Sequence, residues 1–306
     1  MEDKTIYFYL PGIVENLEPN LLLIRRMEDF PDHFYDNVKI GGIYGCPPGA
    51  KWNGGRYVDG YVKIEDIKKL SIYADACKIP HRFTWTNPCL TEEDLDDPYC
   101  NYTMDAFNNG VNEVLVNSDL MEKYIREHYP KYSIISSTTK RITDIDALNK
   151  ELEKDYKLVV IDYDFNNKWD LLDKIEHKEK CEILINPICN PNCPFRKRHY
   201  EIIGKMQRGD MSDRDEHVEG CNAQNRIYTD VMKLPTFISR EDLYGKYYKA
   251  GFRHFKIEGR ACSPMRPLYW CLYYLVKPEY LDEERGWLEL GLDTRMMHPN
   301  IPIHFD

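Results

Sequence analysis

Cys189 and Cys193 stand in the run Cys-Asn-Pro-Asn-Cys, Cys221 follows downstream, and Cys262 comes just after Lys256-Ile257-Glu258-Gly259-Arg260. Converging thiolates are soft ligands that select zinc or an iron–sulfur cluster. A structural zinc site usually shows two tight ligand pairs. Here one tight pair is joined by two distant single cysteines, a spacing that favours an iron–sulfur cluster over zinc. Cys46, in Ile43-Tyr44-Gly45-Cys46-Pro47, competes with Cys262 for the fourth position. Cys77 and Cys271 fall in helix-like runs and read as packing thiols. Cys89 and Cys100 flank an acidic stretch and read the same way.

A second group of chemistry-bearing residues is Lys256, Glu258 and Arg260, at alternate positions of one strand-like run. Alternation places all three on one face of a strand. Inward charges in a barrel must be paired or bound to a ligand, so the trio reads as a substrate or cofactor site or as an internal ion network. His199, next to Tyr200, is a candidate proton donor or an orienting group for the metal, the alternative being a surface histidine. Asn87, Asn117, Asp162, Asp164 and Asn186 stand at strand ends. The segment Gly-Ala-Lys-Trp-Asn-Gly-Gly-Arg, ending at Arg56, reads as a flexible lid or an anion contact. It lacks the phosphate-loop pattern. Neither a Gly-x-Ser-x-Gly elbow nor a His-Glu-x-x-His motif is present.

The elements that must position these residues repeat along the chain. Strand-like runs occur at 5–10, 38–44, 81–86, 113–116, 132–136, 158–162, 182–186 and 254–258. They are short, rich in β-branched and aromatic residues, and apolar at consecutive positions, as strands buried on both faces are. Helix-like runs intervene at 64–78, 119–128, 145–155, 169–177 and 239–250, the last opened by Ser239 and closed by Gly251. Eight such units in series predict an α/β fold, a (β/α)8 TIM-like barrel rather than an open doubly wound sheet. The barrel is expected over residues 1–278, with a C-terminal extension over 279–306 that wraps the barrel or meets a partner. A long irregular loop after the seventh strand is expected over 187–235, and loops of that length usually carry function. In a barrel of this kind the residues after each strand share one face, where active sites form. Cys189, Cys193, Cys221 and Cys262 therefore fall on that face, and Cys181, which opens the seventh strand, falls at the other end.

The 306 residues are 42% apolar, enough for a full core, and no apolar stretch is long enough to span a membrane. Ten cysteines with no export signal predict a cytoplasmic protein whose thiols stay reduced and available for metal. A net charge of −10 argues against broad wrapping of nucleic acid. The run Arg196, Lys197, Arg198, His199, Lys205 and Arg208 reads as a solvated basic face or a local basic site.

Ser239-Arg240-Glu241-Asp242-Leu243, Ala250-Gly251-Phe252 and Phe255-Lys256-Ile257-Glu258-Gly259-Arg260 with Ser263-Pro264 resemble the peptidase U32 family. The resemblance is specific over roughly 182–264. It implies a [4Fe-4S] cluster held by Cys189, Cys193, Cys221 and Cys262, with Cys46 as the alternative fourth ligand. It also implies a role for Lys256, Glu258 and Arg260 in the site. The family contains collagenase-like peptidases and oxygen-independent hydroxylation factors that act on transfer RNA, ribosomal RNA or ubiquinone precursors. The expected function is therefore an iron–sulfur hydroxylation or related modification enzyme. The alternatives are a U32-type peptidase and a non-catalytic iron–sulfur subunit with a protein partner. Its substrate would be a small molecule, an RNA or a peptide. The chain departs from the family at Tyr244, where members commonly carry a cysteine.

Overall fold

The computed structural model describes residues 4–216, 221, 223–260 and 265–297; Cys262 lies outside them. Eight parallel strands close into a barrel in chain order. They are β1 Ile6–Pro11, β2 Val38–Gly45, β3 His81–Trp85, β4 Glu113–Val116, β5 Ser133–Ser136, β6 Leu158–Val160, β7 Cys181–Leu184 and β8 His254–Lys256. The ring closes where β8 meets β1, through Tyr7–His254, Phe8–Phe255 and Tyr9–Lys256. All eight expected strands form, each within about two residues of its expected ends. The reason is that every residue of β3, β4, β6 and β7 is buried, so apolar residues dominate both faces there, with Arg82, Glu113 and Glu182 as buried exceptions.

The helices are α1 Leu17–Asp29, α2 Ile64–Cys77, α3 Pro98–Ala106, α4 Asp119–His128, α5 Ile145–Leu152, α6 Trp169–Leu172, α7 Arg196–Gln207, α8 Tyr228–Val231, α9 Arg240–Asp242, α10 Met265–Leu275 and α11 Leu281–Met297. Ser118 caps α4 by accepting from the Met121 amide, and Ser239 caps α9 by accepting from the Asp242 amide. Three expected helices are shorter than their patterns; α5 ends at Leu152, three residues early. The run from Trp169 stops at Leu172, because the amides of Lys174 and Ile175 bond three residues back and tighten the chain towards β7. The run from Ser239 turns into a π-helix over Leu243–Tyr247, with the Tyr248 amide donating to the Leu243 carbonyl. The expected irregular loop over 187–235 instead contains α7. Its start has no side-chain cap, and its buried residues, among them Tyr200, Ile202 and Ile203, are interleaved with basic ones that mask the apolar stripe.

Two cores result. One fills the space between the barrel and its helices, and a smaller one, of Tyr9, Tyr44, Leu115, Ile135, Leu158 and Val160, fills the barrel. Barrel interiors are usually layers of branched apolar residues. This one also holds Arg82, fully buried, whose Nε donates to Glu113 at 2.7 Å and whose Nη1 donates to Glu182. Its guanidinium lies 3.8 Å from the centre of the Tyr9 ring. Gly41 makes room for that ring, since a Cβ there would stand 2.8 Å from it.

The C-terminal helix α11 lies on α1. Arg26 Nε donates to both oxygens of buried Glu284, at 2.8 and 3.1 Å, and His33 Nδ1 stands 2.6 Å from the same carboxylate. No helix among the described residues is long and apolar enough to cross a membrane.

Candidate active site

A cavity of about 80 Å³ opens where the strands end. Its wall includes Tyr44, Arg56, Leu115, Ser137, Thr139, Tyr163, Leu184, Cys189, Tyr200, Lys256, Glu258 and Arg260. Lys256 is the last residue of β8, and its pairing with Leu184 and Tyr9 sets its side chain in the barrel. It is 5% exposed. Its Nζ lies 4.0 Å from the centre of the Tyr44 ring and 3.4 Å from Glu182 Oε1, a loose ion pair that lacks hydrogen-bond geometry. Burial pulls the Lys256 amine down to about 7; Glu182 pulls it back up, and Arg82 and Arg260 push it further down. Burial pushes the Glu182 carboxyl up, but Arg82 and Lys256 together hold it below its ordinary value. The barrel thus keeps an ionised carboxylate beside an amine that can be neutral near pH 7.

Arg260 is built differently. Its Nη1 donates to Asn53 Oδ1 at 3.0 Å and Thr84 Oγ1 at 2.7 Å, and its Nη2 donates to the Gly54 carbonyl at 3.0 Å. All three acceptors are neutral, and no carboxylate among the described residues pairs with it. Glu258 pairs with Arg56 and accepts from the Ile188 amide at 2.9 Å. Asn186 clamps the Glu258 backbone, accepting from its amide at 2.7 Å and donating to its carbonyl at 3.1 Å. Lys256, Glu258 and Arg260 therefore meet on one cavity with separate roles: a buried amine, a carboxylate that anchors the loop after β7, and a guanidinium whose partners are all neutral.

The glycine-rich segment before Arg56 is no lid. Trp52 and Asn53 are fully buried, and Trp52 Nε1 donates to the Asp94 carbonyl at 2.6 Å. Gly54 lies flat against β3, where a Cβ would stand 2.3 Å from the Thr86 carbonyl oxygen. Since Gly54 and Asn53 hold Arg260, Gly54→Ala should displace that guanidinium as well as strain the loop. The expected outcome is a loss of roughly 1–3 kcal/mol in chemical denaturation. Unchanged stability would show that the loop yields.

Other sequence candidates serve the frame. Asn87 donates to the Lys51 and Gly204 carbonyls, and Asn117 to Thr139 Oγ1. Arg196, expected on a basic face, is buried and ion-paired with Asp162 at 3.4 Å and Asp164 at 3.0 Å. Arg198 pairs with Asp213 and Glu216, and Lys205 with Asp213, so most of the basic run is neutralised. His199 is half-buried on α7, and burial, then Arg56, holds its imidazole below the usual value. Its neighbour Tyr200, not His199, lines the cavity. Tyr244 stacks on Tyr35 at 4.2 Å and donates to the Tyr274 carbonyl, away from the cavity. Arg82, Glu113 and Glu182 were not singled out from sequence. Their signal was a charged residue inside a run that is otherwise apolar.

The described thiols occupy separate places. Cys189 is on the cavity wall, and Cys193 opens on a neighbouring cleft with Arg141, Asp164, Lys168 and Lys197. Cys221 is exposed. Cys46 is buried, and burial pushes its thiol up to about 12 against the pull of Arg260. Among the described residues no three cysteine sulfurs lie within 4.8 Å of one another. That spacing is the reach of ligands on a single ion; the corner thiolates of a four-iron cluster stand farther apart, and Cys262 lies outside the described residues. Under native conditions iodoacetamide should modify Cys221 and Cys193 first and leave Cys46, Cys100, Cys181 and Cys271 unmodified until the chain unfolds. Native labelling of Cys46, mapped by mass spectrometry, would contradict this.

No family model matches the chain. Among curated proteins it is 25% identical, over 214 residues, to the uncharacterized protease MJ1657 of Methanocaldococcus jannaschii. The match covers 68% of this chain and 62% of that protein, so the chain spans less than two thirds of its relative's length. Among solved structures, the U32 peptidase Mk0906 matches with a TM-score of 0.52 and 11% identity, over 85% of this chain and 93% of that one. The structural likeness is one of fold.

Proposed function

We propose that this chain, a barrel of the U32 peptidase family, is an enzyme that grips a small carboxylate, or the carboxylate end of a peptide-like substrate, and moves a proton through Lys256. The observation that carries this reading is the shared cavity of Lys256 and Arg260. A guanidinium whose partners are all neutral keeps its charge uncompensated, and a carboxylate is the ligand that complements it. A buried amine near neutrality is poised as a general base at physiological pH. The cavity, about 80 Å³, is far smaller than the roughly 300–1,000 Å³ that drug-sized ligands fill. It takes a small molecule or one terminus of a larger one. The name of the M. jannaschii relative makes amide hydrolysis the first reaction to test. In that reaction Arg260 would hold the free carboxylate and Lys256 would take a proton from the attacking nucleophile.

The test compares short peptides with free and amidated C termini, by cleavage and by calorimetric binding. The free acids should bind and the amides should not. Arg260→Met should weaken free-acid binding by about tenfold to a hundredfold, the worth of a charged hydrogen bond. Equal binding of acids and amides, or binding indifferent to Arg260→Met, would overturn the reading.

Iron–sulfur-dependent hydroxylation is the second reading, and the presence of Cys189 on the cavity wall favours it. It requires the other thiols to gather around Cys189. Anaerobically purified protein should then carry about four irons with matching sulfide per chain, lost in Cys189→Ala. One zinc per chain would indicate the alternative metal, and a metal-free protein that still binds carboxylates would leave the first reading alone.

A further inference from the structure

We infer that Lys256 captures small 2-oxo acids as an imine, with the carbonyl carbon bonded to its Nζ and the carboxylate held by Arg260. The inference rests on the carboxylate role proposed for Arg260 and goes beyond it by assigning the carbonyl. Both groups line one cavity. Lys256 Nζ and Arg260 Cζ stand 4.0 and 5.8 Å from the centre of the same Tyr44 ring, so they lie at most about 10 Å apart. That ring is fixed, because the Tyr44 hydroxyl donates to the Ile257 carbonyl at 2.6 Å. Leu115 and Leu184 add an apolar wall that excludes competing water. The chemistry needs an amine with a free lone pair. A lysine that is desolvated and close to other cations supplies one, and Lys256, buried near Arg82 and Arg260, is such a lysine.

The reaction balances without a further reagent. The Nζ lone pair attacks the carbonyl carbon and the C=O π pair becomes an alkoxide. Nitrogen loses its protons and the oxygen gains them, so that the C–O bond breaks, one water leaves and C=N forms. Glu182, 3.4 Å from Nζ, is positioned to take the ammonium proton and return it to the departing oxygen. Its Oε1 is buried and has no hydrogen-bond partner, as a proton relay between two transient donors requires.

Pyruvate is the probe. The full chain is incubated with pyruvate at pH 7.5, quenched with borohydride, digested and mapped by mass spectrometry. Lys256 should carry one carboxyethyl group at about tenfold or greater excess over any other lysine. Acetone, the same carbonyl without a carboxylate, should label it about tenfold less, and Arg260→Met should reduce pyruvate labelling to the acetone level. The position of the adduct is read in the wild-type protein and does not depend on whether a Lys256 variant folds. Labelling spread evenly over the lysines overturns the inference. Lactate, which has the carboxylate but no carbonyl, separates the two readings. If lactate binds and pyruvate is not trapped, the imine is wrong and the carboxylate site stands. If neither binds, both fall.

Discussion

Arg82→Met should cost the barrel about 3–5 kcal/mol, the usual effect of breaking a buried ion pair from one side. Arg82 is the only partner in the barrel interior that bridges Glu113 and Glu182, among the described residues. Both carboxylates are essentially sealed from solvent. Without the guanidinium each must stay charged in a poorly solvating interior or take up a proton, and either outcome weakens folding at neutral pH. Lys157 also reaches Glu113, and Lys256 stands near Glu182, so the loss is softened but not cancelled. Urea unfolding at pH 7 reads the effect as a lower midpoint. Adding Glu113→Gln and Glu182→Gln to Arg82→Met should recover part of the loss, because the stranded charges are then gone. A variant as stable as the wild type would mean that the network contributes little.

The second large effect concerns Lys256. Its amine should titrate near pH 7, about three units below the ordinary lysine value. Competitive labelling with a trace of an amine-reactive reagent, mapped peptide by peptide, measures this directly. The Lys256 rate should climb through pH 7 and level off, while exposed lysines are still climbing at pH 10. Glu182→Gln should move the midpoint further down, because Glu182 is the main group that holds the proton on. Arg260→Met should move it up. The same shift has a consequence for stability. Between pH 7 and about 10.4 the unfolded chain binds a proton at this lysine that the folded chain does not, so this group makes stability rise with pH across that window. The contribution is fully present above about 10.4, falls away as pH drops from there to 7, and is on the order of 4 kcal/mol for a shift of about three units. A Lys256 that labels like a surface lysine would remove both the proton acceptor and the imine from the cavity.

How much of this could be read in the chain varies with the kind of interaction. The eight strands were legible because residues such as Val114, Val116, Val159 and Ile183 are buried against the helices while their neighbours Leu115, Leu158 and Val160 are buried inside the barrel. That double burial leaves short, unbroken apolar runs. The inward direction of Lys256 was legible because a strand alternates strictly, and Glu258 and Arg260 keep the alternation past the end of β8. Helix α7 was not, because its apolar residues are interrupted by Arg196, Lys197, Arg198 and His199 and no capping side chain marks its start. The sequence also named the thiols after β2 and β7 without indicating where each would point. Cys189 faces the cavity and Cys46 lies sealed in the core.

By itself, then, the sequence determined the barrel and the strand that carries Lys256. Those follow from local periodicity and burial, which act over a few residues. The tertiary structure alone decided what the charges do. Arg82 meets carboxylates 31 and 100 residues away, and Arg260 meets Asn53 and Thr84 at separations of 207 and 176. Only closure of the ring strips those groups of water and sets them against one another, and it is that loss of water that turns an ordinary lysine into an amine with a pKa of about 7.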